Sequence, residues 1–345
     1  MNSKIDSIID RQYDIANSNP SPLPLPKFTK YTIGNLRGGI GKTTLAFNLS
    51  YLSDNILMVD TCPQGNLSYF YDKNYFSDNA TVKELILPYL LPGLGKPSRI
   101  ARKISATNDF FAEKKSYYIS SSNDLYLLPS HMTTAFSQAS YLSGNQRIIA
   151  FDSILYSLKN EIDREMMEVN AERCLIDTSP FFSGATHLSW HATDALILPV
   201  RTDQQSINSL NLLINTLSAA HSEFRKYMPS DGHTPKIQLI ILTHCTWATR
   251  RGARNEPNQQ TKVYVEKVKD IVSRNIQHFT TDKAENHILL LDDFLGTGRI
   301  STALSKPVFL LNAGDSTYIN RIKTTVNQSV VKIQNQLKYI SDSIW

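Results

Sequence analysis

Short apolar runs alternate with helix-spaced stretches from Lys30 onward. The runs are Y-T-I-G-N (31–35), I-L-M-V-D (56–60), L-Y-L-L-P (125–129), C-L-I-D-T (174–178), A-L-I-L-P-V (195–200), I-Q-L-I-I-L-T (237–243) and H-I-L-L-L-D (287–292). Val, Ile and Leu without polar alternation are the pattern of strands buried on both faces. Such strands, alternating with helices, predict an α/β fold: a mostly parallel wound sheet flanked by helices. Residues 70–124 hold a predicted helix around V-K-E-L-I-L-P-Y-L-L and then a basic cluster, and read as a mobile or partner-facing segment. Near the C-terminus Ile319, Ile322, Val326, Val330, Ile333, Leu337, Ile340 and Ile344 recur every three or four residues, which predicts one long helix with a core-facing stripe. Lys323, Lys332, Lys338 and Trp345 keep a membrane-surface helix or a dimer seam open as alternatives.

Ile5, Ile8, Ile9 and Tyr13 have helical spacing, and the following N-P-S-P-L-P-L-P (19–26) ends that helix because proline lacks an N–H and clashes with the preceding turn. Residues 1–26 are therefore expected to be an appendage with a Pro-rich linker, and 27–345 one domain. The appendage is too short for a winged-helix DNA reader.

The composition, 41% hydrophobic and 19% charged, fits a globular chain and excludes disordered and fibrous classes. The N-terminus lacks an apolar signal region and no run reaches the ~18 apolar residues of a membrane span, so a cytoplasmic protein is expected. Cys62, Cys174 and Cys245 are widely spaced, which argues against a disulfide framework or a C-x-x-C metal site. A net charge of +5 permits binding to nucleic acid or anionic lipid. The basic residues cluster at 95–103, at Lys114 and Lys115, and in T-R-R-G-A-R (249–254).

The strongest chemical signal is G-N-L-R-G-G-I-G-K-T-T-L-A (34–46), between a predicted strand and a predicted helix. That context is the one a phosphate-binding loop requires. Gly38, Gly39, Ile40, Gly41, Lys42, Thr43 and Thr44 would turn backbone N–H groups onto phosphate oxygens at a helix N-terminus. Lys42 would reach the β- and γ-phosphates and Thr43 would offer its hydroxyl to Mg²⁺. Asp177 ends an apolar run as a Mg²⁺-holding acid does.

Arg37-Gly38-Gly39-Ile40-Gly41-Lys42-Thr43-Thr44 resembles the K-G-G-x-G-K-[ST] loop of the deviant Walker-A ATPases, the ParA/MinD family. V-D-T-C-P-Q-G-N-L-S (59–68), C-L-I-D-T-S-P (174–180) and A-T-D-A-L-I-L-P-V-R-T-D-Q-Q-S (192–206) are similar to further segments of that family, in the same order. P-Q-G-N places the chain closer to the ParA branch than to MinD. It also disfavours a metabolic P-loop ligase of the dethiobiotin synthetase kind.

The resemblance implies a switch that binds ATP and Mg²⁺, closes as a face-to-face homodimer, holds DNA non-specifically and answers to a ParB-like or other regulatory protein. It gives Lys42, Arg37 and Asp60 catalytic places, Thr43, Asp60 and Asp177 the metal, and Arg250, Arg251 and Arg254 the DNA phosphates. Two positions depart from the family. Arg37 stands where the signature lysine reaches the other subunit's phosphates, and its planar fork differs from an ammonium. Cys62 stands where an aspartate orients the attacking water, so binding is expected with slowed hydrolysis. Those departures also support a rival reading, a nucleotide-sensing module that holds a partner protein; a MinD-like membrane-cycling ATPase is the third.

His187 and His191 are four apart but lack the glutamate of H-E-x-x-H, since Leu188 takes its place, and read as ordinary histidines. Asp292 and Asp293 read as turn chemistry.

Overall fold

The apolar runs assemble into one eight-stranded sheet in a computed structural model that describes residues 5–18, 20–77, 80–229, 232–248 and 256–345. Its strands are β1 (Lys30–Ile33), β2 (Ile56–Asp60), β3 (Arg102–Lys103), β4 (Ser116–Ile119), β5 (Arg173–Asp177), β6 (Ala195–Arg201), β7 (Lys236–Cys245) and β8 (Ile288–Asp292). They lie in the order β3-β4-β2-β5-β1-β6-β7-β8, with β3 antiparallel to β4 and the other neighbours parallel. A separate hairpin of β9 (Ser316–Ile319) and β10 (Ile322–Thr325) follows.

The helices are α1 (Asp6–Asn17), α2 (Lys42–Leu52), α3 (Asn66–Tyr71), α4 (Val82–Leu90), α5 (Leu128–Ser140), α6 (Gly144–Leu155), α7 (Ser157–Val169), α8 (Gly184–His191), α9 (Gln204–Ser218), α10 (Gln259–Arg274), α11 (Leu295–Leu304) and α12 (Val330–Ile344). Alternate residues of each central strand enter opposite layers. Ile56, Met58 and Leu175 join a core with α2, α3 and α12, whereas Leu57, Val59 and Ile176 join one with α4 to α8. On that second face Leu196 and Leu198 meet α9 and α10. α1 lies beside β8 and α12; its Ile15 joins the first core, Ile8 and the preceding Ile5 join the cluster of Leu196 and Leu198, and Arg11 Nη2 donates to Glu285 O and Ile288 O, both at 2.7 Å.

Two stretches differ from the sequence expectation. L-Y-L-L-P is a 3₁₀ turn, Asn123–Leu127, running into α5, and the strand of this region is S-Y-Y-I, β4. Ser122 Oγ accepts from Asp124 N, Pro129 sits in the first turn of α5, and Leu125, Leu128, Met132, Ala135 and Phe136 bury one helical stripe. The C-terminal stripe also divides: Ile319 and Ile322 are in the hairpin, and only Val330–Ile344 is helix. Asn320 and Arg321, with φ of 49° and 66°, form a two-residue turn that breaks the helix period, and the flanking residues are rich in β-branched Thr and Ile. Ile333, Leu337, Ile340 and Ile344 of α12 are buried in the core. Among the described residues no helix is long and apolar enough to cross a membrane.

Candidate functional site

The parallel strands direct their C-terminal ends to one rim, and sheet order brings three of them side by side there. β1 pairs with β5 through Ile33 and Asp177, and β2 pairs with β5 through Asp60 and Asp177. The two carboxylates therefore stand abreast at the point where the loop 34–41 leaves β1, the crevice in which wound α/β sheets hold ligands. Gly39 and Gly41 adopt φ of 70° and 89°, and Gly41 is the left-handed N-cap of α2. Glycine meets that backbone demand without strain, and the loop ends on the positive end of a helix.

Lys42 begins α2, is 7% exposed, and donates from Nζ to Arg37 O at 2.7 Å, so it folds back over its own loop. Burial lowers the pKa of its amine, with Asp177 acting in the opposite direction. Thr43 Oγ1 donates to Asp177 Oδ2 at 2.7 Å. Asp177 Oδ1 is buried and accepts no hydrogen bond from any described residue. Burial, reinforced by neighbouring Asp60, pushes the Asp177 carboxyl up to about 7. A carboxylate with one idle buried oxygen beside a threonine hydroxyl is a donor set that suits a hard divalent cation.

Asp60 is engaged on both oxygens. Oδ2 accepts from Ser68 N at 2.8 Å and Ser68 Oγ at 2.7 Å, and Oδ1 accepts from Cys62 N at 3.0 Å. Its carboxyl is raised to about 6 by burial, against those hydrogen bonds. Asp60 thus shapes the 60–68 turn while standing next to Asp177. Cys62 lies in this turn, 5% exposed, and burial followed by the charges of Asp60 and Asp177 pushes its thiol up to about 12. It is a neutral thiol at physiological pH.

Arg37 is held within its own chain: Nη1 donates to Asp203 Oδ1 and, at 2.8 Å, to Ser206 Oγ. Asp203 is the N-cap of α9, accepting from Ser206 N at 2.9 Å, and also faces Arg201 Nε at 3.5 Å. Two further bonds tie the loop to its surroundings: Ser209 Oγ donates to Asn35 Oδ1 at 2.6 Å, and Thr243 Oγ1 donates to Ile40 O at 3.1 Å. Beside Gly39, Gly41 and Thr44 opens a cavity of about 690 Å³ whose lining also includes His244, Asp293 and Phe294.

The structure thus gathers Arg37 to Thr44, Asp60 and Asp177 at one rim. Arg250, Arg251 and Arg254 lie outside the described residues. His187 and His191 are buried on α8, where His187 Nε2 lies 3.2 Å from Phe224 O and the His191 ring stacks on Phe224. Asp293 accepts from Leu295 N at 3.1 Å, a turn contact, while Asp292 pairs with Lys332 at 3.3 Å. Sequence reading assigned no role to Ser68, Asp203 or Ser206, although all three fall inside the segments compared with the family.

A glycine-rich loop after the central strand, a lysine and threonine opening the next helix and an aspartate ending the adjacent strand define a P-loop NTPase. The sequence profile of a family described as "AAA domain" matches residues 29–229, and the chain belongs to the ParA/MinD family of P-loop ATPases. It is 22% identical over 281 residues to the sporulation initiation inhibitor protein Soj of Bacillus subtilis (strain 168), covering 80% of this chain and 96% of Soj. It is 25% identical over 193 residues to the maintenance of carboxysome distribution protein A of Gloeothece citriformis (strain PCC 7424), covering 55% of this chain and 62% of that one. Among solved structures, an ATP complex of a Cyanothece McdA variant has a TM-score of 0.55 at 16% identity, covering 84% of this chain and 90% of its own. A Borrelia burgdorferi B31 protein bound to AMPPNP, provisionally described as a plasmid partition protein, has a TM-score of 0.53 at 16% identity, covering 92% and 100%. These structural likenesses are of fold.

Proposed function

We propose that this chain is a ParA-like ATP-dependent switch that dimerises on binding ATP and Mg²⁺, holds DNA non-specifically when closed, and serves DNA partitioning or a related DNA-linked process under a ParB-like or other regulatory protein. The observation that carries the reading is the Thr43–Asp177 pair beside the loop whose helix begins at Lys42. Backbone N–H groups of Gly38 to Thr43 would hold phosphate oxygens, and Lys42 would leave Arg37 O to pair with the β- and γ-phosphates. Thr43 and Asp177, with Asp60 nearby, would hold Mg²⁺, which neutralises charge on the phosphates when bound. The cavity beside Thr44 has the position and size for the base and ribose.

Hydrolysis is the weaker half of the activity. Cys62 offers an uncharged thiol where the family resemblance puts a carboxylate, so water is poorly oriented and turnover slow. That feature supports the related reading of a nucleotide sensor whose closed dimer holds a partner protein. The buried apolar face of α12 weighs against a membrane-cycling role for that helix.

Equilibrium binding of a labelled ATP analogue to the wild type and to Lys42→Ala tests the nucleotide reading. Removal of the ammonium leaves phosphate charge uncompensated, so the variant is expected to lose binding; unchanged affinity would refute the assignment.

A further inference from the structure

The hairpin β9–β10 pairs Ile322 with Ile319 and Thr325 with Ser316 around the Asn320-Arg321 turn. It is fastened to α11 at its base. Asn327 Oδ1 accepts from Thr297 N, and Asn327 N donates to Thr297 Oγ1, both at 3.1 Å. Gly296 lies so close beneath that a Cβ there would stand 2.6 Å from Thr325 O, a separation that backbone atoms do not tolerate. In this pose Tyr318 and Ile322 remain 74% and 69% exposed, whereas Ile319 is half-buried and lines the 690 Å³ cavity beside the phosphate loop. The other described lining residues come from the loop and α2, the ends of β7 and β8, and α11. Ile319 alone among them comes from the segment after α11.

We propose that this hairpin is a wall of the nucleotide site and that Ile319 packs against the base of the bound nucleoside triphosphate. The inference rests on the nucleotide reading above. Phosphates fixed at Gly39, Gly41 and the N-terminus of α2 leave the rest of the molecule to enter the cavity, whose apolar lining includes Leu291, Phe294, Leu295 and Ile319. A flat, weakly hydrated base gains from an apolar wall, and the charged phosphate end does not. The tight turn and the paired contacts at Asn327 hold the wall in place before binding, so little ordering is left to oppose association.

The test is calorimetric titration of the full chain, in Mg²⁺, with ATP and separately with inorganic tripolyphosphate, which shares the phosphates and has no base. Ile319→Ala is expected to weaken ATP about tenfold, about 1.4 kcal/mol, while tripolyphosphate binding is unchanged; Tyr318→Ala, altered on the outer face, should leave both as in the wild type. Unchanged ATP affinity in Ile319→Ala overturns the proposal. So does equal weakening of both ligands, which would mean that the substitution acts through the fold; thermal unfolding of each variant accompanies the titrations. A wild type that binds neither ligand overturns the nucleotide reading itself and this inference with it, a result distinct from a wild type that binds both while Ile319→Ala keeps its ATP.

Discussion

Arg37 and Asp203 form an ion pair inside one chain, joining the phosphate loop to the N-cap of α9. The family resemblance assigns the residue at position 37 to the phosphates of the opposite subunit, so this pair and the Ser206 contact must open when the proposed dimer closes. Both side chains are partly exposed, at 25% and 31%, and such a pair contributes no more than about 1 kcal/mol. Asp203→Asn keeps a good N-cap while removing the charge. It is expected to tighten ATP-driven dimerisation a few-fold, read by sedimentation equilibrium; an unchanged or weaker dimer would show that the pair does not restrain Arg37.

Cys62→Asp should raise kcat about tenfold with little change in KM, because a water-orienting carboxylate acts mainly in the transition state. That gain corresponds to about 1.4 kcal/mol of barrier. Steady-state phosphate release with DNA present measures it. Equal turnover in wild type and variant would mean that another group orients the water, and the slow-switch reading would lose its support.

DNA binding by the ATP-bound protein should fall steeply with salt. Replacing Arg250, Arg251 and Arg254 together by alanine should weaken it equally across sequences and flatten the salt dependence, since phosphate contacts carry no base information. Fluorescence anisotropy on two unrelated duplexes checks this; full retention of binding would move the DNA surface elsewhere, to Arg99, Arg102 and Lys103 as the next candidates.

Acid should destabilise the fold through α8. His187 is 7% exposed, its Nε2–H faces Phe224 O, and burial holds its pKa down to about 4 against an ordinary 6.5. The unfolded chain gains a proton below pH 6.5 that the folded chain refuses until about pH 4, so stability is full above that window and falls through it. At pH 5 the loss from this one group is about 2 kcal/mol relative to neutral pH. Burial lowers the pKa of His191 as well, with the same sign. Because His191 and the raised Asp177 and Asp60 carboxyls titrate in the wild type and in His187→Gln alike, the difference between the two proteins isolates His187. The change in urea-derived stability from pH 7 to pH 5 should be about 2 kcal/mol less unfavourable in His187→Gln than in the wild type, and an identical change in both would contradict this.

The motif residues were legible because phosphate chemistry fixes their order along the chain. Gly39, Gly41, Lys42, Thr43 and Asp177 lie next to a strand end or a helix start, so local sequence nearly determines their positions. Asp203 and Ser206 were visible as motif letters, but their grip on Arg37 depends on β6 lying beside β1, a tertiary fact that no local pattern carries. The hairpin was hidden for a different reason. Ile319, Ile322 and Val326 continue the three-and-four spacing of α12, and the positive φ at Asn320 and Arg321, which folds the first two into paired strands, has no signature in that spacing. L-Y-L-L-P misled likewise, since a short apolar run has no period of its own and the Ser122 cap with Pro129 decided for a helix.

The central claim is that nucleotide binding at the Lys42 loop drives self-association, and sedimentation velocity on the full chain tests it most directly. Wild-type protein with ATP and Mg²⁺ should sediment as a dimer, and as a monomer without nucleotide, while Lys42→Ala should remain monomeric in both. A wild type that stays monomeric with saturating ATP and Mg²⁺, or a dimer that forms equally without nucleotide and in Lys42→Ala, would contradict it.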